Sequence, residues 1–264
     1  MNRILLTLTI ALLAFRVSAQ TTIPNGAFEN WNTTSFESPK YYQSSNTDVI
    51  SMGMPVNCVK TTDAFHGTAA VKLTTVVNTQ DTMFGYFVNA NPNGDPNTWH
   101  GGIPYAEKPS GMRVYYKSTI TAGDTAFVIV AFSKAGVNIG SYTLKIYNNA
   151  TTYTLLSSAL SPALTQTPDS VVVAATSGNP FSNKMLSGSV LYLDSFSFTG
   201  VTSQPAMLNG DFEQWDAIAY NIPASWYLEE GRTITNIRST DAYKGTYAVR
   251  LTTNLDQDEK GNSR

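Results

Sequence analysis

The stretch TDAFHGTAAVKLTT, at Thr62–Thr75, sets both the fold class and the domain organisation of this chain. Its second half alternates in character, because Val71 and Leu73 fall on one side of an extended chain and Lys72 and Thr74 on the other. A glycine precedes this alternation at a position typical of a turn. The stretch therefore predicts a turn that leads into a half-buried β-strand.

The same stretch occurs twice. Thr240–Thr253 reads TDAYKGTYAVRLTT and is identical at ten of fourteen positions. A shorter phrase also recurs, since NGAFENW at Asn25–Trp31 returns as NGDFEQW at Asn209–Trp215. The short phrases lie 184 residues apart and the long ones 178, so the second copy has six fewer residues between them. A solenoid repeats every 20–50 residues or so, and this much longer period indicates a repeat of whole domains.

The N-terminus has the pattern of a signal peptide over residues 1–19. Arg3 is followed by a short apolar run at residues 4–15 and by small residues that end at Ala19. The apolar run is too short to span a bilayer, which takes about 20 residues. We therefore expect cleavage after Ala19 and a protein that is secreted or held at the cell surface.

The repeat divides the remaining chain. We expect a first domain at residues 20–200, a linker at residues 201–205 and a second copy that starts at residue 206. Only about a third of that second copy is present, and the last residues, LDQDEKGNSR, show no strand pattern. We interpret residues 206–264 as the truncated N-terminal part of a second similar domain in a longer protein. The alternative is a natural half-domain, which would leave open sheet edges and a divided core.

Further strand signals fill the first domain. TAFVIVAF at residues 125–132, a turn at 133–136 and SYTLKIY at 141–147 predict a hairpin. Three more strands are predicted at residues 111–117, 170–174 and 189–198. No stretch after the signal peptide keeps a helical apolar period for three turns. These signals predict an all-β fold, a two-sheet jelly-roll β-sandwich.

Composition excludes several classes of partner. Charged residues make up 14% of the chain, against about 25% in an average soluble protein, and the net charge is −2. The sequence has no stripe of basic residues that would indicate nucleic-acid binding. After the signal peptide it has no uncharged apolar segment long enough to indicate a membrane span. Cys58 is the only cysteine and cannot form an internal disulfide, so we expect it to be a small buried hydrophobe.

The domain resembles a known group of jelly rolls. Its NGxFExW opening, its Asp-Ala-aromatic-x-Gly turn and its final LDSFSF strand are similar to galactose-binding-like domains, among them many carbohydrate-binding modules of exported bacterial proteins. GGIPY at residues 101–105, followed by KPSGMRVYYK at 108–117, resembles the carbohydrate-metabolism domain family of bacterial surface proteins. The resemblance implies a jelly-roll fold and a carbohydrate-related role.

The same resemblance implies a structural calcium ion between the first and last strands. It maps the ligands onto the backbone carbonyls of Ala27 and His66 and the carboxylates of Glu29 and Asp194. Calcium takes six to eight hard oxygen ligands, and Asp63, which recurs in the second copy, is a further candidate. The alternative is that Asp63 caps a turn and that Glu29 faces solvent. Two histidines and one cysteine do not favour a zinc site.

Aromatic side chains are the candidates for sugar binding, because the C–H face of a sugar stacks on a flat ring. Those near predicted loops and strand ends are Trp99, Tyr105, Tyr86 and Tyr42. Trp99 is the leading candidate, since its loop is too polar and too rich in Gly and Pro for an ordinary strand. The alternative is that these rings fill the core of the sandwich, which is the interpretation given to Phe28 and Trp31 and to their equivalents, Phe212 and Trp215.

Catalysis is not expected. Glycoside hydrolysis usually needs two carboxylates across the scissile bond, and Glu107 and Asp95 are the only pair near the Trp99 loop. We therefore predict a non-catalytic module that binds poly- or oligosaccharide. Two alternatives remain open: a repeated structural or adhesive domain that contacts other surface proteins, and an accessory domain of a polysaccharide-degrading enzyme.

Overall fold

The structure, a computed structural model, describes residues 22–91, 100–182, 185–226 and 236–252, with the side chains of 90, 91, 100, 101 and 236 left out. Helix within these ranges is limited to the short α1 (Asn46–Ser51) and a 3₁₀ turn at Ala206–Leu208. The strands in chain order are β1 (Trp31–Pro39), β2 (Gln43–Ser44), β3 (Cys58–Thr61), β4 (Ala70–Thr74), β5 (Val76–Val77), β6 (Thr82–Met83), β7 (Tyr86–Val88), β8 (Ala90–Asn91), β9 (His100–Gly101), β10 (Ile103–Pro104), β11 (Gly111–Thr119), β12 (Ala126–Lys134), β13 (Val137–Ile146), β14 (Ala150–Ala159), β15 (Ser170–Thr176), β16 (Val190–Thr199), β17 (Trp215–Pro223), β18 (Asn236–Ser239) and β19 (Ala248–Leu251).

Two antiparallel sheets form the body of the first copy. The six-stranded sheet has the order β13-β12-β15-β7-β2, with β10 beside β15. The five-stranded sheet has the order β14-β11-β16-β4-β3. One apolar core contains side chains from both sheets, among them Val130 and Phe132 from the first and Leu191 and Leu193 from the second. The molecule is therefore an all-β, two-sheet sandwich of the jelly-roll type.

The two sheets differ in how many of their faces are buried. β12 is buried along its length because Val128 and Val130 point into the main core, while Phe127 and Ile129 join a second apolar cluster on the opposite face. The five-stranded sheet is buried on its inner face only. Its alternation leaves polar and aromatic side chains on the outer face.

The strand predictions are largely confirmed. β4, β11, β12, β13, β15 and β16 all fall on predicted segments, and β12 pairs with β13 as the predicted hairpin. β14 was not predicted, although it forms a full-length edge of the five-stranded sheet. The prediction for Cys58 is also confirmed, since its thiol is free and fully buried.

The opening of the second copy packs against the first copy. β17 pairs with β1 along nine residues, and Leu208 and Phe212 lie in the main core. The residues that follow the predicted linker therefore contribute to the first sandwich. No helix in the described ranges is long and apolar enough to cross a membrane. The predicted signal peptide lies outside these ranges.

Candidate functional site

Four aromatic side chains gather on the outer side of the five-stranded sheet and are called here the aromatic face: Phe65, Tyr115, Tyr153 and Tyr192. Phe65 lies flat on Tyr115, with ring centroids 3.6 Å apart and planes 10° apart. Tyr153 is tilted against Phe65 at 6.0 Å. Phe65 is 45% exposed and the three tyrosines are half-buried, so Phe65 is the most exposed ring of the group.

A buried carboxylate holds the Phe65 turn in place. Asp194 is fully buried, and one of its oxygens accepts hydrogen bonds from the backbone N–H groups of Phe65, at 2.7 Å, and His66, at 2.9 Å. Burial raises the pKa of Asp194, and the backbone donors act in the opposite direction. The last strand of the sandwich therefore positions the most exposed ring of the aromatic face.

Two lysines lie among these rings. The Lys117 ammonium is 5.4 Å from the ring centroid of Tyr153 and 5.0 Å from that of Tyr192. Lys72 lies 5.6 Å from the centroid of Tyr192, and Lys117 also forms an ion pair with Asp63. Burial and the nearby carboxylates of Asp63 and Asp194 raise the pKa of Tyr153, so its phenol stays neutral. The face therefore combines flat rings with two ammonium groups, of which that of Lys117 is paired with Asp63.

A polar pocket opens beside the aromatic face and is called here the junction pocket. It has a volume of about 440 Å³, and both copies of the repeat line it. The first copy contributes Arg113, Tyr115 and Ser197, and the second contributes Asn209, Asp211 and Gln214. Arg113 donates to the Ser197 hydroxyl at 3.0 Å and forms no ion pair with the described residues. Tyr115 belongs to both the pocket and the aromatic face, so the two form one continuous surface.

Two of the predicted sugar-binding aromatics, Tyr105 and Tyr42, lie in the core. Tyr105 is 4% exposed and packs between Phe132 and Phe198, so its ring is not available to a ligand. Tyr42 is also in the core, where its hydroxyl donates to the Leu208 carbonyl at 2.6 Å. For these two residues the alternative interpretation, a core role, is the correct one.

Two further candidates have different outcomes. Tyr86 is half-buried, and its hydroxyl donates to Asp48 at 2.5 Å on the six-stranded sheet, away from the aromatic face. Trp99 lies outside the described residues, as does Asp95.

The three carboxylates predicted to bind calcium have different partners. Glu29 contacts the second copy, where Thr246 and Tyr247 donate to it, whereas Asp194 contacts the first turn and Asp63 pairs with Lys117. Within the described residues, no three His, Cys, Asp or Glu side chains are grouped closely enough to hold a metal ion. Calcium binding stays a prediction. A melting temperature that is unchanged between calcium and chelator would remove it.

Glu107 has a structural partner in the linker. Its carboxylate accepts hydrogen bonds from the N–H and hydroxyl groups of Thr202 and Ser203, at 2.6–3.0 Å. The backbone N–H of Thr202 is the largest influence, and together these donors lower the pKa of Glu107 to about 2. A carboxyl group of this acidity is ionised at neutral pH and is unsuited to act as a general acid.

Sequence reasoning missed the aromatic face because its members come from four separate segments. One signal was nevertheless present in the predicted strand at 111–117. Arg113, Tyr115 and Lys117 alternate with the buried Met112 and Val114, which places a cation, a ring and a second cation on the outward side.

Comparison with known proteins gives distant similarities. No protein-family model matches the chain, and no curated protein matches it. A solved family 16 carbohydrate-binding module is 13% identical, with a TM-score of 0.31 over 55% of this chain and 86% of that one. A family 11 carbohydrate-binding module from Clostridium thermocellum, in complex with a β-1,3-1,4-mixed-linked tetrasaccharide, is 15% identical, with a TM-score of 0.33 over 66% of this chain and 90% of that one.

An arabinose-bound α-L-arabinofuranosidase is 12% identical, with a TM-score of 0.35 over 68% of this chain but only 24% of that one. TM-scores of this size transfer neither a fold nor a ligand to the present chain. The assignment of the sandwich rests on its own strand order.

Proposed function

We propose that the aromatic face and the junction pocket together bind a carbohydrate without transforming it, as part of an exported, surface-associated protein. The observation that carries this proposal is the aromatic face itself, a set of partly exposed rings fixed on a rigid sheet beside a polar pocket. Binding sites of small molecules commonly combine flat apolar surface with a few convergent polar groups.

A sugar suits both parts of this surface. The axial C–H groups of a pyranose are weakly positive and are attracted to the electron-rich face of an exposed ring such as Phe65, which Tyr115 supports from beneath. Its hydroxyls need both donors and acceptors, which the pocket supplies through Arg113, Asp211 and Gln214. Because the pocket and the face share Tyr115, an oligosaccharide could contact both at once.

The arrangement of carboxylates supports binding without catalysis. Of the described residues that line the pocket, Asp211 alone carries a carboxylate, whereas glycoside hydrolysis usually needs two on opposite sides of the bond. Glu107, the other acidic candidate, is engaged by Thr202 and Ser203.

A repeated structural or adhesive domain is the second candidate function. The pairing of β1 with β17 favours it, because this ribbon couples the two copies whether or not a ligand binds. The two candidates differ in whether the outer face of the five-stranded sheet is used.

A glycan array tests the proposal. The whole chain is applied beside Tyr115→Ala and a control, Tyr147→Ala, which removes a ring that is 66% exposed and lies outside both the aromatic face and the pocket. We expect binding that Tyr115→Ala weakens and Tyr147→Ala preserves. Binding to no glycan, or equal loss in the two variants, would overturn the proposal and leave the structural candidate.

A further inference from the structure

The ribbon formed by β1 and β17 has two-fold symmetry. Ser35 lies opposite Ala219 at its centre, and these two residues occupy equivalent positions of the repeat, 184 residues apart. At the ends, Trp31 pairs with Pro223 and Pro39 pairs with Trp215, which is the same contact made twice. Each copy therefore presents the same surface to the other, as in an isologous dimer.

The hydrogen bonds beside the ribbon repeat this symmetry. The Lys40 N–H donates to the Gln214 carbonyl at 2.9 Å, and the equivalent Ala224 N–H donates to the Asn30 carbonyl at 2.9 Å. The Asn25 side chain donates to the carbonyl of Ala224, and the equivalent Asn209 side chain donates to that of Lys40. Reciprocal contacts of this number are not expected from accidental packing.

The two glutamates of the opening phrases also act across the copies. Glu213 of the second copy accepts the N–H groups of Thr68 and Ala69, at 2.7 and 2.9 Å, in the glycine turn of the first copy. Glu29 of the first copy accepts the equivalent N–H groups of Thr246 and Tyr247, at 3.0 and 3.3 Å, in the second copy.

The glycine in each turn makes room for this carboxylate. A Cβ atom placed on Gly67 would overlap a carboxylate oxygen of Glu213, and one on Gly245 would overlap a carboxylate oxygen of Glu29. Both glycines also have positive φ, at 74° and 89°, which other residues rarely adopt.

The phenylalanines of the phrases are exchanged as well. Phe212 of the second copy is 2% exposed in the first core, where it packs on Phe87 at 5.4 Å and near Tyr42 at 6.5 Å. Phe28 of the first copy lies 5.2 Å from Trp226, the position equivalent to Tyr42. Each phrase therefore brings an aromatic ring and a capping carboxylate to the other copy.

We propose that residues 25–31 and 209–215 are exchanged between the copies within one chain, so that the opening segment of each copy packs on the other copy. The partner of this surface is a second copy of the same domain. β1 and β17 follow the two phrases in the chain and pair with each other along their full length where the copies meet. The alternative is that each phrase folds onto its own copy, in which case Glu29 would cap the first turn.

Hydrogen exchange on the whole chain separates these arrangements. We expect Glu213→Gln to speed exchange of the Thr68 and Ala69 amides at least about tenfold, because a charged acceptor is lost, and to leave Thr246 and Tyr247 unchanged. Glu29→Gln should have the opposite effect. If Glu29→Gln exposes the Thr68 and Ala69 amides, or if neither variant changes either pair, the proposal is wrong.

Disulfide formation across the ribbon gives a second, independent test of the pairing of β1 with β17. In a Cys58→Ala background, Ser35→Cys with Ala219→Cys should form an intrachain bond, because paired residues of antiparallel strands lie within disulfide range. Lys134→Cys with Val137→Cys, a pair in the β12–β13 hairpin, controls for oxidation. Free thiols in the first pair when the control is oxidised would overturn the exchange. A disulfide-linked dimer would assign the exchange to separate chains and overturn the intrachain form.

Discussion

The ring of Phe65 lies on the ring of Tyr115, with centroids 3.6 Å apart and planes nearly parallel. One residue comes from the turn before β4 and the other from the middle of β11, so the contact joins a loop to the sheet. Because Phe65 is the most exposed ring of the aromatic face, we expect it to contribute to the affinity for any ligand that stacks there.

Replacement of Phe65 by alanine should weaken glycan binding by up to about tenfold, the value of one aromatic contact. Phe65→Tyr should bind as the wild type does, because the substitution keeps an aromatic ring at this position. Titration calorimetry with the best ligand of the array measures both. Equal affinity of the alanine variant and the wild type would place the ligand elsewhere.

Loss of the Asp194 carboxylate should destabilise the sandwich. Asp194→Ala leaves the N–H groups of Phe65 and His66 without their acceptor, which should cost about 3 kcal/mol in the free energy of unfolding. Urea denaturation measures this value. The control is Asp81→Ala on an exposed turn, for which we expect a change below about 0.5 kcal/mol. Similar values for the two variants would contradict the role assigned to Asp194.

Acid should release the linker from Glu107. The pKa of this carboxyl group is about 2 in the folded protein, below its ordinary value of 4.5. Its contribution to stability is therefore fully present above pH 4.5 and is lost as the pH falls towards 2.

Thermal melts of the wild type and Glu107→Gln follow this contribution. The wild type should melt at a higher temperature than the variant at pH 7, and the difference should vanish near pH 2. Tyr147→Ala, which removes an exposed side chain and no carboxyl group, is the control, and its difference from the wild type should not narrow in the same way. A difference between wild type and Glu107→Gln that is constant with pH would exclude the Glu107 contact as its cause.

The Cys58 thiol should be inert in the folded protein. It is fully buried, and burial raises its pKa, so little thiolate is available to react. A thiol-specific reagent should label it only after denaturant is added. A thiol introduced by Val137→Cys, at a position that is 62% exposed, should react at once under native conditions. Equal rates at the two sites would show that the core opens readily.

Much of the first sandwich could be predicted from local patterns. β4 alternates cleanly, and β12 is a continuous apolar run, so both strands were visible in the sequence. β14 was missed because it is an edge strand in which half of the side chains are exposed Thr or Ser and no buried stripe is present. An edge strand of this kind is stabilised by its hydrogen-bonded pairing with the neighbouring strand, here β11.

The candidate site was harder to predict. Tyr105 and Tyr42 were chosen because they lie near loops, but sequence position does not distinguish a ring that points inward from one that points outward. The members of the aromatic face meet only when β11, β14 and β16 are placed side by side.

The exchange of the opening phrases could not be predicted at all. The two phrases share their Asn, Gly, Phe, Glu and Trp residues, and both turns keep their glycine. Glu29 and Glu213 would therefore cap either turn through the same backbone donors. Local sequence specifies the contact, and only the three-dimensional path of β1 and β17 specifies which copy receives it.

The symmetry of the β1–β17 ribbon also limits how many domains can assemble through it. An isologous contact satisfies both of its partners at once and leaves no second surface of the same kind for a third. A protein with more copies of this domain would be organised in closed pairs, and no continuous filament would grow through this contact. In a protein with an odd number of copies, one copy would keep an unfilled cleft and an unpaired strand. Such a protein could pair with a second molecule through this copy, whereas a protein with an even number of copies would have none left to pair.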